Sequence, residues 1–241
     1  GAERRHLTIM FCDLVGSTAL SESLDPEELR EIVAAFRDLC TTIVEDLGGF
    51  VARNMGDGLL VYFGYPTAYG NDAERSLRAG LRILREVPGL DSRGGPPLQV
   101  RVGVASGVSV VGDLIGTDAA RELVVLGTAP NLAARLQALA LPGQLLVAPE
   151  TRKLAGNAFR YAALPEVELK GFTEPVTPYR VEGTDNPAGK LSPDRPHSDF
   201  VGRQAELSEL NRLWQGIATT GRGETVVLSG VAGIGKRRLC S

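Results

Sequence analysis

Two aspartates and an Asn–Arg pair are the residues of this chain whose types and spacing could do chemistry. Asp13 closes the apolar run HLTIMFC, and Asp57 lies between two glycines in VARNMGDGLLVYF. Neighbouring strands of a sheet run about 4.8 Å apart, so carboxylates at one edge of adjacent strands converge. Such a pair repels unless cations lie between its members. Hard oxygen ligands with few other protein groups suit Mg2+ held jointly with a phosphate substrate, and the ions of a paired site lie about 3.5–4 Å apart. Gly16, Ser17 and Thr18 follow Asp13 and offer backbone amides at a turn, a cradle for phosphate. Taken singly, Asp13 also reads as a turn cap and Asp57 as the filling of a hairpin. Asn131 and Arg135 are four apart in NLAARLQALA and so share one helical face. An amide and a guanidinium presented together suit a developing negative charge, where a preorganised donor in a dry site is worth roughly 3–4 kcal/mol. The same spacing fits a solvated arginine on an amphipathic helix.

Composition narrows the chemistry. The 22 arginines outnumber the 4 lysines, and the first 150 residues hold no lysine, which removes Schiff-base or lysine-base chemistry there. Cys12, Cys40 and Cys240 are far apart and form no CxxC, so neither a disulfide framework nor a zinc site is expected. A net charge of -3 argues against a chain that coats phosphate backbones, and no DNA partner is expected. No apolar run reaches about 18 residues and no signal-peptide layout opens the chain, so the expectation is a cytoplasmic protein with no membrane span.

The elements that must position these residues follow from periodicity. With 241 residues, 43% of them hydrophobic, the chain has room for one large domain and part of another. HLTIMFCDL alternates as a strand, and Asp25, Pro26 and Glu28 open a helix whose apolar stripe runs to Leu47 before Gly48-Gly49 stops it. Residues 50–63 read as a hairpin with Asp57 at its tip. Residues 71–87 repeat the capped-helix pattern, and a strand starts at Leu98. Separate strands are expected at residues 108–114 and 123–126, then a helix over 130–140. Hairpins mixed with helices favour an α+β fold, a mixed sheet flanked by helices, over a doubly wound parallel sheet. Residues 1–183 form this domain. Residues 184–198, rich in proline and poor in apolar groups, read as a linker, and 199–241 as the opening of a second unit.

FCDLVGST, VARNMGDGLLVYFGYP, RVGVASGVSVVGDLIG, VVLGTAPNLAARLQALA and ELKGF occur in that order, and together they resemble the catalytic domain of class III nucleotidyl cyclases from about residue 5 to 183. The resemblance implies a ferredoxin-like, polymerase-palm-like sheet and a head-to-tail homodimer with its pockets at the interface. It implies an adenylate cyclase that converts ATP to cyclic AMP and pyrophosphate. Asp13 and Asp57 would hold two Mg2+ or Mn2+ ions, with Leu14 in the same metal site. Asn131 would orient the ribose, Arg135 would stabilise the pentacoordinate phosphorus, and Lys170 would touch the terminal phosphates. Two positions depart from the pattern: Arg53 stands for the usual base-reading lysine, and Val124 stands where an Asp or Thr is usual. Those departures keep a second reading in view, a cyclase-like regulatory module that binds nucleotide with little or no turnover. The tail run GVAGIGK, with Gly230, Gly235 and Lys236, resembles a Walker A loop in which Arg237 replaces the final Ser or Thr, the start of a signal-transduction ATPase.

Overall fold

The computed structural model describes residues 3–17, 20, 24–113 and 123–184, with only the backbone at 113, 123 and 124, and a few isolated residues after 205. Backbone contacts divide the chain into Gly1–Leu191 and Ser192–Ser241. The first unit carries the elements described below. Thr184, expected to open the linker, is instead the last residue of the final strand, paired with Phe159. Thr18, residues 185–198 of the expected linker and the Walker-like residues Gly230, Gly235 and Lys236 lie outside the described residues.

The elements in order are β1 (Glu3–Leu14), α1 (Pro26–Asp46), β2 (Phe50–Met55), β3 (Gly58–Phe63), α2 (Asp72–Glu86), β4 (Val100–Asp113), β5 (Leu123–Leu126), α3 (Thr128–Leu139), β6 (Leu145–Val147), α4 (Pro149–Ala155), β7 (Phe159–Ala163) and β8 (Tyr179–Thr184). They build one mixed sheet in the order β2-β3-β1-β4-β6-β8-β7, with β5 paired to β4. The β4–β6 pairing is parallel and the other ladders are antiparallel. The expected α+β sheet flanked by helices is present. One expectation needs correction: the strands expected from Leu98 and over 108–114 are a single 14-residue strand, β4, because Gly107 pairs with Leu7 and the ladder to β1 continues through it. A glycine inside a strand pattern reads locally as a break, but a long partner strand overrides it.

Local signals explain the helix ends. Pro26 takes the first position of α1 and the Asp25 backbone N–H donates to Glu28 at 3.3 Å, the expected capping arrangement. At α2 the Asn71 side chain makes no cap bond, and the Asp72 carboxylate accepts from the Tyr69 and Gly70 amides instead.

Strand periodicity sorts the core into two layers. Met10, Cys12 and Leu14 of β1, Leu59, Val61 and Phe63 of β3, and Val100, Val102 and Val104 of β4 pack with α1, α2 and α4. Leu7 and Ile9, Tyr62, and Ala105 face the other way, against Ala129, Ala133 and Leu136 of α3. Asp13 and Arg101 have the parity of this second layer. Among the described residues α3 is the helix on that face, and Phe11, Phe50, Leu60 and Tyr65 are only partly covered there. Cys12 and Cys40 are buried free thiols.

Helix α3 lies very close to the sheet. A Cβ added to Gly103 of β4 would stand 2.2 Å from the Gln137 nitrogen and 2.3 Å from the Ala133 carbonyl oxygen, so this approach requires glycine. No helix among the described residues is long and apolar enough to cross a membrane.

Candidate active site

β1 ends on the carboxylate pair because its antiparallel partner β3 begins there. Asp13 pairs with Gly58, the residue after Asp57, and the Leu14 N–H donates to the Asp57 carbonyl at 3.3 Å. The hairpin tip is held from two sides. The Ser17 hydroxyl donates to the Asp57 carboxylate, and the Arg37 guanidinium of α1 donates to the Gly56 carbonyl. Gly56 has φ +63°, the left-handed conformation a glycine adopts without strain.

Asp13 is about a quarter exposed (27%), and its Oδ2 accepts from Arg101 Nη2 at 3.1 Å and from Gln137 Nε2 at 3.2 Å. Burial, and then the charge of Asp57, push its carboxyl above the ordinary value, while Arg101 and Gln137 pull in the opposite direction. The two carboxylates therefore repel across a half-buried edge. Among the described residues no third His, Cys, Asp or Glu joins them. Two carboxylate ligands fit a hard divalent ion that completes its shell with backbone oxygen, water or substrate phosphate, and fit poorly a closed all-protein cage.

Asn131, Ala134 and Arg135 on α3, with Lys170, Gly171 and Phe172, line a pocket of about 420 Å³. Three residues singled out in the sequence thus gather in one place. Asp13 and Asp57 do not line this pocket. The remaining candidates distribute as follows. The Leu14 side chain is buried in the core, so only its backbone can serve the carboxylate edge. Gly16 is exposed at φ +74°. Arg53, exposed on β2 where the register shifts after Val51, is near enough for its charge to oppose the burial-driven rise of the Tyr62 phenol. Val124 pairs through its backbone with Gly112.

Sequence reasoning missed Arg101, Gln137 and Arg37, and missed the bond from Ser17 to Asp57. A signal existed for Arg101: in RVGVASG it alternates with the core valines and shares the parity of Gly103. No comparable signal marked Gln137, six residues after Asn131 and so about 240° around the helix from it.

Comparison with known proteins gives the family to which this fold belongs. Residues 2–183 match the model of the adenylate and guanylate cyclase catalytic domain, and the chain belongs to that family. The crystal structure of the guanylyl cyclase Cya2 is similar at 33% identity and TM-score 0.73, covering 78% of this chain and 98% of that one. The adenylyl cyclase CyaB from P. aeruginosa is similar at 29% identity and TM-score 0.71, covering 75% of this chain and 95% of that one. An uncharacterized protein of Rhizobium meliloti, R02095, is 35% identical over 99% of this chain, which spans 23% of that protein's length. Rv1318c of Mycobacterium tuberculosis is 30% identical over 78% of this chain, and the match takes in 34% of that protein. The chain therefore spans about a quarter to a third of these relatives. Membership makes cyclic nucleotide synthesis, a lyase reaction, the family activity, and divalent metals its general requirement.

Proposed function

We propose that this chain is a metal-dependent adenylyl cyclase that works as a homodimer, converting ATP to 3′,5′-cyclic AMP and pyrophosphate in pockets shared between two chains. One observation carries the reading: Asp13 and Asp57 lie together at one edge, while Asn131, Arg135 and Lys170 gather in a pocket that excludes both. A second chain placed head to tail supplies each half-site with the other. The partly covered Phe11, Phe50, Leu60 and Tyr65, and the exposed Leu126, Leu139 and Leu141, provide apolar surface for such a partner.

In the reaction the ribose 3′-oxygen bonds to the α-phosphorus, the bond to the pyrophosphate oxygen breaks, and the hydroxyl proton is released. Asp13 and Asp57 would hold the divalent ions, whose chemistry there would be to draw charge from the phosphate oxygens and lower the proton affinity of the attacking hydroxyl. Arg101 offsets part of the carboxylate repulsion in their absence. Asn131 and Arg135 stand one helical turn apart, so the amide orients the ribose while the guanidinium meets the charge that builds on the phosphorus oxygens. Lys170 lies across the same pocket for the leaving phosphates.

The base is distinguished by the donors it leaves unmet. Arg53 supplies only N–H groups, and the Val124 side chain supplies neither donor nor acceptor. Guanine presents additional N–H donors that would then lack acceptors, at about 1–3 kcal/mol for a stranded group, whereas adenine strands fewer. A modest preference for ATP follows. The same two residues favour the competing reading, a nucleotide-binding module with little turnover.

The deciding experiment mixes two inactive variants. Asp13→Ala and Arg135→Ala homodimers each have two broken pockets, but their heterodimer has one pocket with both defects and one with neither. Cyclic AMP production with Mn2+ should return on mixing to about a quarter of wild type per chain when half the dimers are mixed. With subunit exchange verified, no recovery refutes the shared pocket, and no product from the wild type refutes turnover.

A further inference from the structure

The two oxygens of Asp13 have different neighbours. Oδ2 takes both side-chain donors, Arg101 Nη2 and Gln137 Nε2. Oδ1 is the oxygen over Gly58, the residue next to Asp57, where an added Cβ would stand 3.2 Å from it. Rotation of the carboxylate about its last torsion would exchange the two, so something must hold one oxygen for the ion shared with Asp57. Arg101 alone is a poor holder, because its positive charge competes with the cation it faces. The Gln137 amide is neutral and donates a bond without that competition.

Gln137 also has little freedom to drift. Its own backbone nitrogen is the α3 atom closest to the Cβ position of Gly103, and Gly103 lies two residues from Arg101 on the same face of β4. The opposite strand is β1, with Phe11 across from Gly103 and Asp13 across from Arg101. Helix, strand and carboxylate therefore form one closed unit.

We infer that Gln137 is a positioning residue for the metal site: from α3 it fixes Oδ2 of its own chain's Asp13, leaving Oδ1 for the ion. This deepens the cyclase reading and rests on it. Under that reading α3 serves two pockets, presenting Asn131 and Arg135 to one and Gln137 to the carboxylates of the other. The effect of Gln137 is thus expected in the pocket that uses its own chain's Asp13, and absent from the pocket that uses its own chain's Asn131 and Arg135.

The test replaces Gln137 with Met, which keeps length and volume and removes the donor, and with Ala. Ala138→Ser, at an exposed neighbour on the same helix, is the control. Electron paramagnetic resonance counts free Mn2+ in the presence of the unreactive analogue α,β-methylene-ATP. Both Gln137 variants should bind Mn2+ about tenfold more weakly, equivalent to about 1.4 kcal/mol, while Ala138→Ser binds as wild type. Unchanged Mn2+ binding in a folded variant overturns the inference, and so does loss of fold in both variants, which would make Gln137 a core residue. A second arm adds Gln137→Met to one chain of the Asp13→Ala and Arg135→Ala mixture. On the Arg135→Ala chain, which supplies the working Asp13, it should lower recovered activity roughly tenfold. On the Asp13→Ala chain, whose α3 supplies the working Asn131 and Arg135, it should change nothing. A loss in the second placement instead shows that Gln137 merely supports the helix. If the mixture recovers nothing even without Gln137→Met, the shared-pocket reading fails, and Mn2+ binding by the homodimer still decides the role of Gln137.

Discussion

Replacing Asp13 with Asn should make the metal-free protein at least as stable as wild type near neutral pH and abolish its stabilisation by Mn2+. Asn keeps the shape and the acceptor for Arg101 and Gln137 but carries no charge against Asp57. The folded state holds the Asp13 proton more tightly than an unfolded chain would, because burial and the Asp57 charge raise its pKa. Wild type therefore loses stability as pH climbs from the ordinary carboxylate value of 3.8 through the raised one, and stays at the lower level above it. The Asn variant has no such loss, so the two melting curves should converge at acid pH and separate, in favour of the variant, as pH rises. Cation binding reverses the order. An ion at a hundred times its dissociation constant stabilises the folded state by about 2.7 kcal/mol. For a domain covering residues 2–183 each kcal/mol moves Tm by roughly 2–4 °C, so wild type should gain about 5–11 °C from saturating Mn2+. Differential scanning fluorimetry with and without Mn2+, from about pH 3.5 to 8, measures both effects. A variant that melts well below wild type in the absence of metal, or that keeps the full Mn2+ shift, refutes the assignment of Asp13 as a strained cation ligand.

Three further outcomes follow from other parts of the structure. The ratio of kcat/KM for ATP over GTP should stay below about 10³, since strong rejection needs buried polar groups that the wrong base strands; a far larger ratio in a product assay would place base reading away from Arg53 and Val124. Gly103→Ala should push α3 off the sheet, cost roughly 1–3 kcal/mol in urea unfolding, and sharply lower activity, because the atoms met at 2.2 and 2.3 Å are backbone and cannot rotate aside; wild-type stability and activity would contradict that packing. Arg37→Ala removes the bond from α1 to the Gly56 carbonyl, with about 1 kcal/mol of destabilisation and weaker Mn2+ binding expected from a looser hairpin; calorimetry showing unchanged Mn2+ affinity would leave Arg37 with no part in holding Asp57.

How far the sequence reached depends on the range of the forces involved. The β2–β3 hairpin with Asp57 at its tip, the Asp25-Pro26 start of α1 and the shared face of Asn131 and Arg135 are local matters, decided by residues within one or two turns of each other, and all were legible. The order of motifs also carried the family. The tertiary structure alone decided what depends on register between distant strands. That Asp13 lies across from both Gly58 and Arg101 follows from two antiparallel ladders whose alignment is set by packing two layers of apolar side chains, which no short window contains. The continuity of β4 through Gly107 has the same origin. Gln137 was beyond reach for a further reason: its contact with Asp13 spans 124 positions and depends on one absent side chain, at Gly103, that lets a helix backbone settle against the strand.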